Sequence, residues 1–281
     1  MAAAPEGARL NHAVLVGAGR MGSAMARGWL KDLAAAGLGK LVVVEPQPGP
    51  DIVKAANDGS IALNPNPAPA DIVVLAVKPQ GFAAAAPELK AWAGPQTLVV
   101  SIMAGVTIER ISVALGSRKV ARAMPNTPSA IGAGVSGYAL SPACGEAENQ
   151  ATARLLAPLG LAIGPLAESQ MDAVTAVSGS GPAYVFLLAE ALAAAGRAAG
   201  LDGPVADALA RQTVVGAGAL LGQSAEAPGD LRKAVTSPGG TTAAALDVLM
   251  GTGALPDLMR KAVEAAAKRG AELSREDEKK A

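Results

Sequence analysis

The sequence predicts an α/β domain on a mainly parallel sheet followed by an all-helical domain, and three observations support this. Short runs rich in Val, Ile and Leu alternate with helical stretches through the first part of the chain. A glycine-rich turn stands directly after the first of these runs. Beyond about Leu166 the chain becomes alanine-rich and helical, with glycine and proline at the break points. The domains are therefore expected at residues 1–166 and 167–281.

Taken in order, Ala13–Val16 reads as a buried strand and Arg20–Leu33 as a helix. Further strands are expected at Lys40–Val44, Asp71–Val77, Thr97–Ile102 and Val120–Met124. Their apolar runs are continuous rather than alternating, as suits strands covered on both faces. In the second domain the helical stretches are Met171–Val177, Ala183–Ala199, Pro204–Leu221, Asp230–Val235, Thr241–Met250 and Pro256–Leu273. Alanine-rich helices pack closely, which a chain with 2% aromatic residues needs in order to build a core. Ser178–Pro182 interrupts a helix with small residues, expected to serve close packing and a pocket edge. No repeat of solenoid period is evident.

Composition narrows the chemistry. With 51% apolar residues among 281, a sizeable core can be buried. The 24 Lys and Arg balance 24 Asp and Glu, and a neutral chain lacks the basic stripe that nucleic acid requires. The single cysteine, Cys144, permits no intrachain disulfide, makes structural zinc improbable and reads as an incidental or buried thiol. The single histidine, His12, precedes the first strand, where packing suits it better than catalysis. Histidine acid–base chemistry and multi-histidine metal sites are disfavoured, so in an enzyme a cofactor would supply the reactive atom. Met1–Asn11 lacks the basic-then-apolar pattern of a secretory signal. The longest greasy stretch, Ala183–Ala199, is broken by Glu190, Gly196 and Arg197, short of the ~18 apolar residues of a membrane span. A cytoplasmic protein without nucleic-acid or membrane partners is expected, its charged tail Ser274–Ala281 a solvated helix end.

The turn Gly17-Ala18-Gly19-Arg20-Met21-Gly22 fits G-x-G-x-x-G between strand and helix. Gly17 permits the tight turn, Gly19 lets backbone approach a pyrophosphate, and Gly22 lets helix and strand pack closely. The helix N-terminus then offers unpaired N–H groups to phosphate. Glu45 ends the second strand about 20 residues further on, where a carboxylate binds the ribose 2′-hydroxyl. That favours NAD(H) over NADP(H), unless Arg20 turns toward the adenosine end. Lys78, after the third strand, is either an anion ligand or a solvated loop lysine. Arg122, Asn126 and Thr127 follow the fifth strand at the ligand-facing edge, in a Met-Pro-Asn-Thr-Pro segment stiffened by its prolines. Arg122 either faces the pocket or serves an internal salt bridge.

In the second domain Pro238-Gly239-Gly240 reads as a turn and Thr241-Thr242 as the start of a helix. Two hydroxyls at a helix start, with Ser237 nearby, make a ready carboxylate site. An ordinary N-cap after a turn is the plainer alternative.

Several segments together resemble pyrroline-5-carboxylate reductases. They are Gly17–Gly22, A-V-K-P-Q at Ala76–Gln80, A-G-V-T at Ala104–Thr107 and R-A-M-P-N-T-P at Arg122–Pro128. They continue with D-A-V-T-A-V-S-G-S-G-P-A-Y at Asp172–Tyr184 and L-R-K-A-V-T-S-P-G-G-T-T at Leu231–Thr242, the two most specific. The resemblance implies an N-terminal Rossmann-like domain and a C-terminal helical domain that dimerises, with assembly into decamers common. It implies reduction of 1-pyrroline-5-carboxylate to L-proline with NADPH or NADH. By motif, Gly17, Ala18, Gly19, Arg20, Met21, Gly22, Ala76, Val77, Lys78 and Pro79 would line the dinucleotide. Ala104 and Asn126 would lie near the nicotinamide, and Asn66 near the adenosine. Ser237, Gly240, Thr241 and Thr242 would hold the substrate, with Thr242 bonding the ring nitrogen and Ser237 assisting. Glu45 departs from the small polar residue common in the family, which bears on cofactor preference and not on the reaction.

Reduction of a C=N bond needs a hydride on carbon and a proton on nitrogen, and a protonated imine demands no metal. Hydroxy-acid enzymes of similar architecture carry a lysine in the helical domain, and Asp172–Gln223 has none. A reductase of another cyclic imine remains an alternative. So does a dinucleotide-binding sensor without turnover, although such a sensor has no need of the S-P-G-G-T-T segment.

Overall fold

The computed structural model describes residues 12–278. The reading of Met1–Asn11 as free of a signal falls wholly outside them, as do the last three residues of the charged tail.

Within residues 12–179, β1 (Ala13–Val16) leads into α1 (Arg20–Lys31), then β2 (Leu41–Val44), α2 (Pro50–Asn57) and the two-residue β3 (Ala62–Leu63). After these come β4 (Ile72–Leu75), α3 (Pro79–Leu89), β5 (Leu98–Ser101), α4 (Ile108–Leu115) and β6 (Val120–Met124). The sheet then gains β7 (Gly134–Leu140), α5 (Glu146–Leu156) and β8 (Gly160–Leu166), followed by α6 (Met171–Val174) and a π turn at Thr175–Gly179. The strand order is β3-β2-β1-β4-β5-β6-β7-β8. The strands run parallel across β1 and β4, but the order in which the chain adds strands reverses there, which is the topological switch point where doubly wound sheets bind ligands.

Alternation along each strand feeds two cores. Leu15, Val43, Val74 and Val100 face one side, where α1, α2 and α5 cover them with Met25, Trp29, Ile52 and Leu155. Val14, Val42, Val73 and Val99 face the other, under Phe82, Leu89, Trp92 and Ile111 from the α3–α4 layer. Trp29 is 1% exposed, and its Nε1 donates to the Leu155 carbonyl at 2.8 Å. The continuous apolar runs thus reflect a sheet buried on both faces.

The five expected strands are present, but three more lie beside them. The connection between β6 and β7 is too short for a crossover, so β7 returns antiparallel, with Ala121 opposite Leu140 and Met124 opposite Gly137. The α5 crossover then makes β8 parallel to β7. The sheet is mainly parallel, with a two-stranded reversal at one edge.

The described residues form two compact units, one of residues 12–179 with 266–278 and one of residues 180–265. The expected division at 166/167 follows the last strand, whereas this one falls after the π turn. The second unit contains α7 (Gly181–Ala198), α8 (Gly203–Gln223), α9 (Pro228–Ala234), α10 (Thr241–Leu249) and the first part of α11 (Leu255–Glu278). α7 and α8 pack through small residues: a Cβ on Gly196 would lie 3.3 Å from the Ala206 Cβ. Its buried apolar residues are only Ala193, Ala206 and Ala210, while Phe186 and Leu187 are each 63% exposed. A single copy leaves most of this unit's apolar surface in water.

Candidate active site

Parallel strands deliver their C-terminal loops to one edge. The ladder continues one residue past each strand: Gly17 N–H donates to Val44 O, Ala76 N–H to Val16 O and Ile102 N–H to Leu75 O. The Gly17–Gly22 turn, the Ala76–Pro79 segment and the Ala104 loop are thereby anchored side by side.

Gly17 and Gly22 take the close-packed geometry their spacing predicts, while Gly19 stands open. Gly17 has φ 91°, and a Cβ there would come within 2.7 Å of the Ala76 carbonyl oxygen. A Cβ on Gly22 would lie 2.0 Å from the Gly17 carbonyl oxygen, so only glycine lets α1 sit this close. Around Gly19 no atom lies within 4 Å of a Cβ position, which leaves open backbone. Gly19 caps α1 without a side-chain hydrogen bond, so the first amides of the helix face outward unpaired. A cavity of about 530 Å³ opens beside them, lined among others by Gly19, Arg20, Ser23, Arg27, Asp51 and Thr127. Open backbone, uncapped amides and adjoining space fit a dinucleotide pyrophosphate.

Around this turn the other candidates take distinct positions. Glu45 is half-buried and its Oε2 accepts the Ala18 N–H at 2.7 Å. Lys78 is the exposed N-cap of α3, with Pro79 at the first helical position. Ala104 is exposed beside Gly105, whose φ of 77° turns the chain into Thr107, the N-cap of α4. Asn66 is exposed, whereas Asn64, unmarked in the sequence reading, bonds the Glu45 backbone in both directions.

Asn126 and Arg122 are committed inside the protein. Asn126 donates Nδ2–H to the Ser178 carbonyl at 3.1 Å and accepts the Val135 N–H at 3.0 Å. It braces the π turn, where Thr175 and Ser178 hydroxyls bond back to Met171 O and Val174 O. A Cβ on Gly179 would meet Met124 Cε at 2.8 Å, so the small residues of this interruption serve close packing against the end of β6. Arg122 lies within β6 rather than after it; 7% exposed at its side chain, it pairs with Glu168 at 3.3 Å and Asp172 at 3.6 Å. Of its two sequence readings the internal salt bridge is the one that forms. Cys144 is half-buried with its thiol against Ser141, and burial pushes its pKa up, away from thiolate reactivity.

In the second unit, Ser237–Gly240 closes a turn through the Gly240 N–H and Ser237 O at 3.0 Å, with Gly239 at φ 67°. Proline before a positive-φ glycine is type II turn chemistry. Gly240 then caps α10 without a side-chain bond, leaving the first amides of the helix unpaired beside the Thr241 and Thr242 hydroxyls. Thr236, by contrast, spends its hydroxyl on Arg232 O.

Residues 168–273 match the family model described as pyrroline-5-carboxylate reductase dimerisation. Residues 12–105 match one described as NADP oxidoreductase, coenzyme F420-dependent. A pyrroline-5-carboxylate reductase of Pseudomonas aeruginosa is 42% identical over 208 residues, 74% of this chain and 76% of its own. The chain belongs to the pyrroline-5-carboxylate reductase family. Among solved structures, the Coxiella burnetii reductase superposes with TM-score 0.84 at 33% identity, covering 94% of this chain and 98% of its own. The Plasmodium falciparum enzyme, solved with NADP bound, gives TM-score 0.75 at 27% identity, covering 95% and 100%. Within this family the two specific sequence segments acquire structural meaning: one is the π turn docked on β6, the other the turn and N-terminus of α10. Sequence reasoning passed over Asn64. Its signal was the repeated Asn-Pro dipeptide at 64–67, of which the resemblance drew attention to the second.

Proposed function

We propose that the chain reduces 1-pyrroline-5-carboxylate to L-proline with NAD(P)H, the final step of proline biosynthesis. Beyond family membership, the observation that carries this reading is the open Gly17–Gly22 turn leading into the first amides of α1 beside a cavity, with a second glycine-led helix start at Gly240 next to the Thr241 and Thr242 hydroxyls. One suits a pyrophosphate and the other a carboxylate, the two anions the reaction must hold.

The residues divide the work as follows. The Gly17–Gly22 turn and the α1 amides bind the pyrophosphate, while Ala76–Pro79 and Ala104 line the dinucleotide beside it. Asn126 positions the π turn. Asn66 lies on the connection leading from β3, and its contact with the adenosine is part of the same proposal. The dinucleotide, when bound, supplies the hydride. At the start of α10 the amides, Ser237, Gly240 and Thr241 hold the substrate carboxylate, and the Thr242 hydroxyl holds the ring nitrogen and relays its proton. We take 1–166 as the dinucleotide-binding domain and 167–281 as the substrate-binding and dimerisation domain.

One helical run, Glu168–Ala198, is long and apolar enough to cross a membrane by length and composition. It is covered by the dimerisation match, and we assign its exposed apolar surface to a subunit interface. A homodimer, with decamers as a further assembly, working in the cytoplasm, fits that assignment.

Mixing the protein with 1-pyrroline-5-carboxylate and following NADH or NADPH absorbance tests the reaction, with proline as the expected product. Thr242→Ala should lower kcat by roughly 10²-fold or more while leaving dinucleotide affinity unchanged. Cofactor binding without any oxidation in the wild type would favour a sensor or another imine.

A further inference from the structure

Glu45 is held more tightly than a strand-terminal acid needs to be. Oε2 accepts the Ala18 N–H at 2.7 Å and Oε1 accepts the Gln47 N–H at 2.9 Å. Its backbone is clamped by Asn64, which accepts the Glu45 N–H at 2.8 Å and donates Nδ2–H to Glu45 O at 2.9 Å. Asn64 stands at φ 47°, the left-handed region that asparagine tolerates better than most residues, and its own N–H bonds Val43 O. The carboxylate is therefore pinned at both ends, and swinging it aside would strand the Ala18 amide.

Ala18 belongs to the pyrophosphate turn, so the pinned charge lies against the loop that a dinucleotide must cross. A carboxylate has about four acceptor sites, and two are used here. Those remaining can accept ribose hydroxyls, whereas a 2′-phosphate brings only acceptors and further negative charge. The cations nearby do not reverse this. Arg27 is engaged by Asp51 at 3.2 Å. Arg20 lines the same cavity but is exposed, where solvent and salt screen it.

We infer that the pinned Glu45 carboxylate selects NADH over NADPH, with Asn64 as its positioning residue. The inference rests on the dinucleotide reading of the Gly17–Gly22 turn and is tested without substrate. NADH and NADPH are titrated separately into the full-length protein, following nicotinamide fluorescence. NADH should bind at least about tenfold more tightly, as an unrelieved like-charge contact requires, with the gap narrowing as salt is added. Glu45→Ser should weaken NADH, strengthen NADPH and bring the two to parity or invert them. Asn64→Gly keeps the left-handed backbone available and should erode the preference with Glu45 still present, circular dichroism confirming the fold. NADPH binding as tightly as NADH in the wild type, or an unchanged ratio in Glu45→Ser, overturns the inference. An unchanged ratio in Asn64→Gly overturns the positioning role. Binding of neither cofactor overturns the dinucleotide reading itself, and the inference with it.

Discussion

Arg122 carries a full charge on a side chain almost without solvent, and two acids answer it. Glu168 also accepts the Ile108 N–H at 2.8 Å, so the cluster ties β6, the start of α4 and the segment after β8 together. Arg122→Met would leave Glu168 and Asp172 facing each other uncompensated. Both acids are about a third exposed, which discounts the usual cost of breaking a buried pair, and a loss of about 2–3 kcal/mol is expected. Urea unfolding measures it, and Arg122→Met with Glu168→Gln and Asp172→Asn should recover part of the loss. The sequence placed Arg122 at the ligand-facing edge but left its partner open, because both acids lie more than 40 residues away and only packing brings them near. The glycines of the first turn were legible for the opposite reason, since their contacts are with close chain neighbours and one adjacent strand.

At the scale of an element, α5 begins on Gly145, whose N–H donates to Glu148 at 2.8 Å. Glu148 also meets Lys119 at 2.9 Å, and the Lys119 bond is the main cause holding its carboxyl below the usual glutamate range. A carboxyl with a lowered folded pKa adds stability above its unfolded value of about 4.3, and that stability is lost as the pH falls through the folded value. Stability should therefore drop on acidification below about pH 4.3, and Glu148→Gln should flatten that part of the curve. Chemical denaturation between pH 6 and 3 measures both. β7 and β8 escaped the sequence reading for a physical reason. β7 (G-V-S-G-Y-A-L) and β8 (G-L-A-I-G-P-L) are broken by glycine, serine and proline, so neither shows a continuous apolar run, and β8 is largely exposed besides.

Across the whole molecule, the helical unit and the sheet unit differ in how they satisfy their apolar residues. The sheet unit buries its own in two cores, one on each face. In the helical unit Phe186, Leu187, Leu209 and Leu220 are all exposed by more than half. Surface of this kind marks an association site, and the dimerisation match covers it. Light scattering should give a mass of at least twice the 27.6 kDa chain. Leu187→Arg should yield dissociated or aggregating protein with reduced thermal stability, since a charge in an apolar interface has no partner.

What the sequence by itself determined is whatever depends on neighbours along the chain. The buried strands, the glycine turn, the Pro-Gly-Gly turn before α10 and the alanine-rich helices are local in this sense. Tertiary structure alone decided the antiparallel return at β7, the burial of Arg122 and the brace of Asn126 on Ser178. It alone also placed Asn64 behind Glu45. Apart from the β7 return, each of these joins residues far apart in sequence, and a contact made only when the chain closes on itself leaves no periodicity to read.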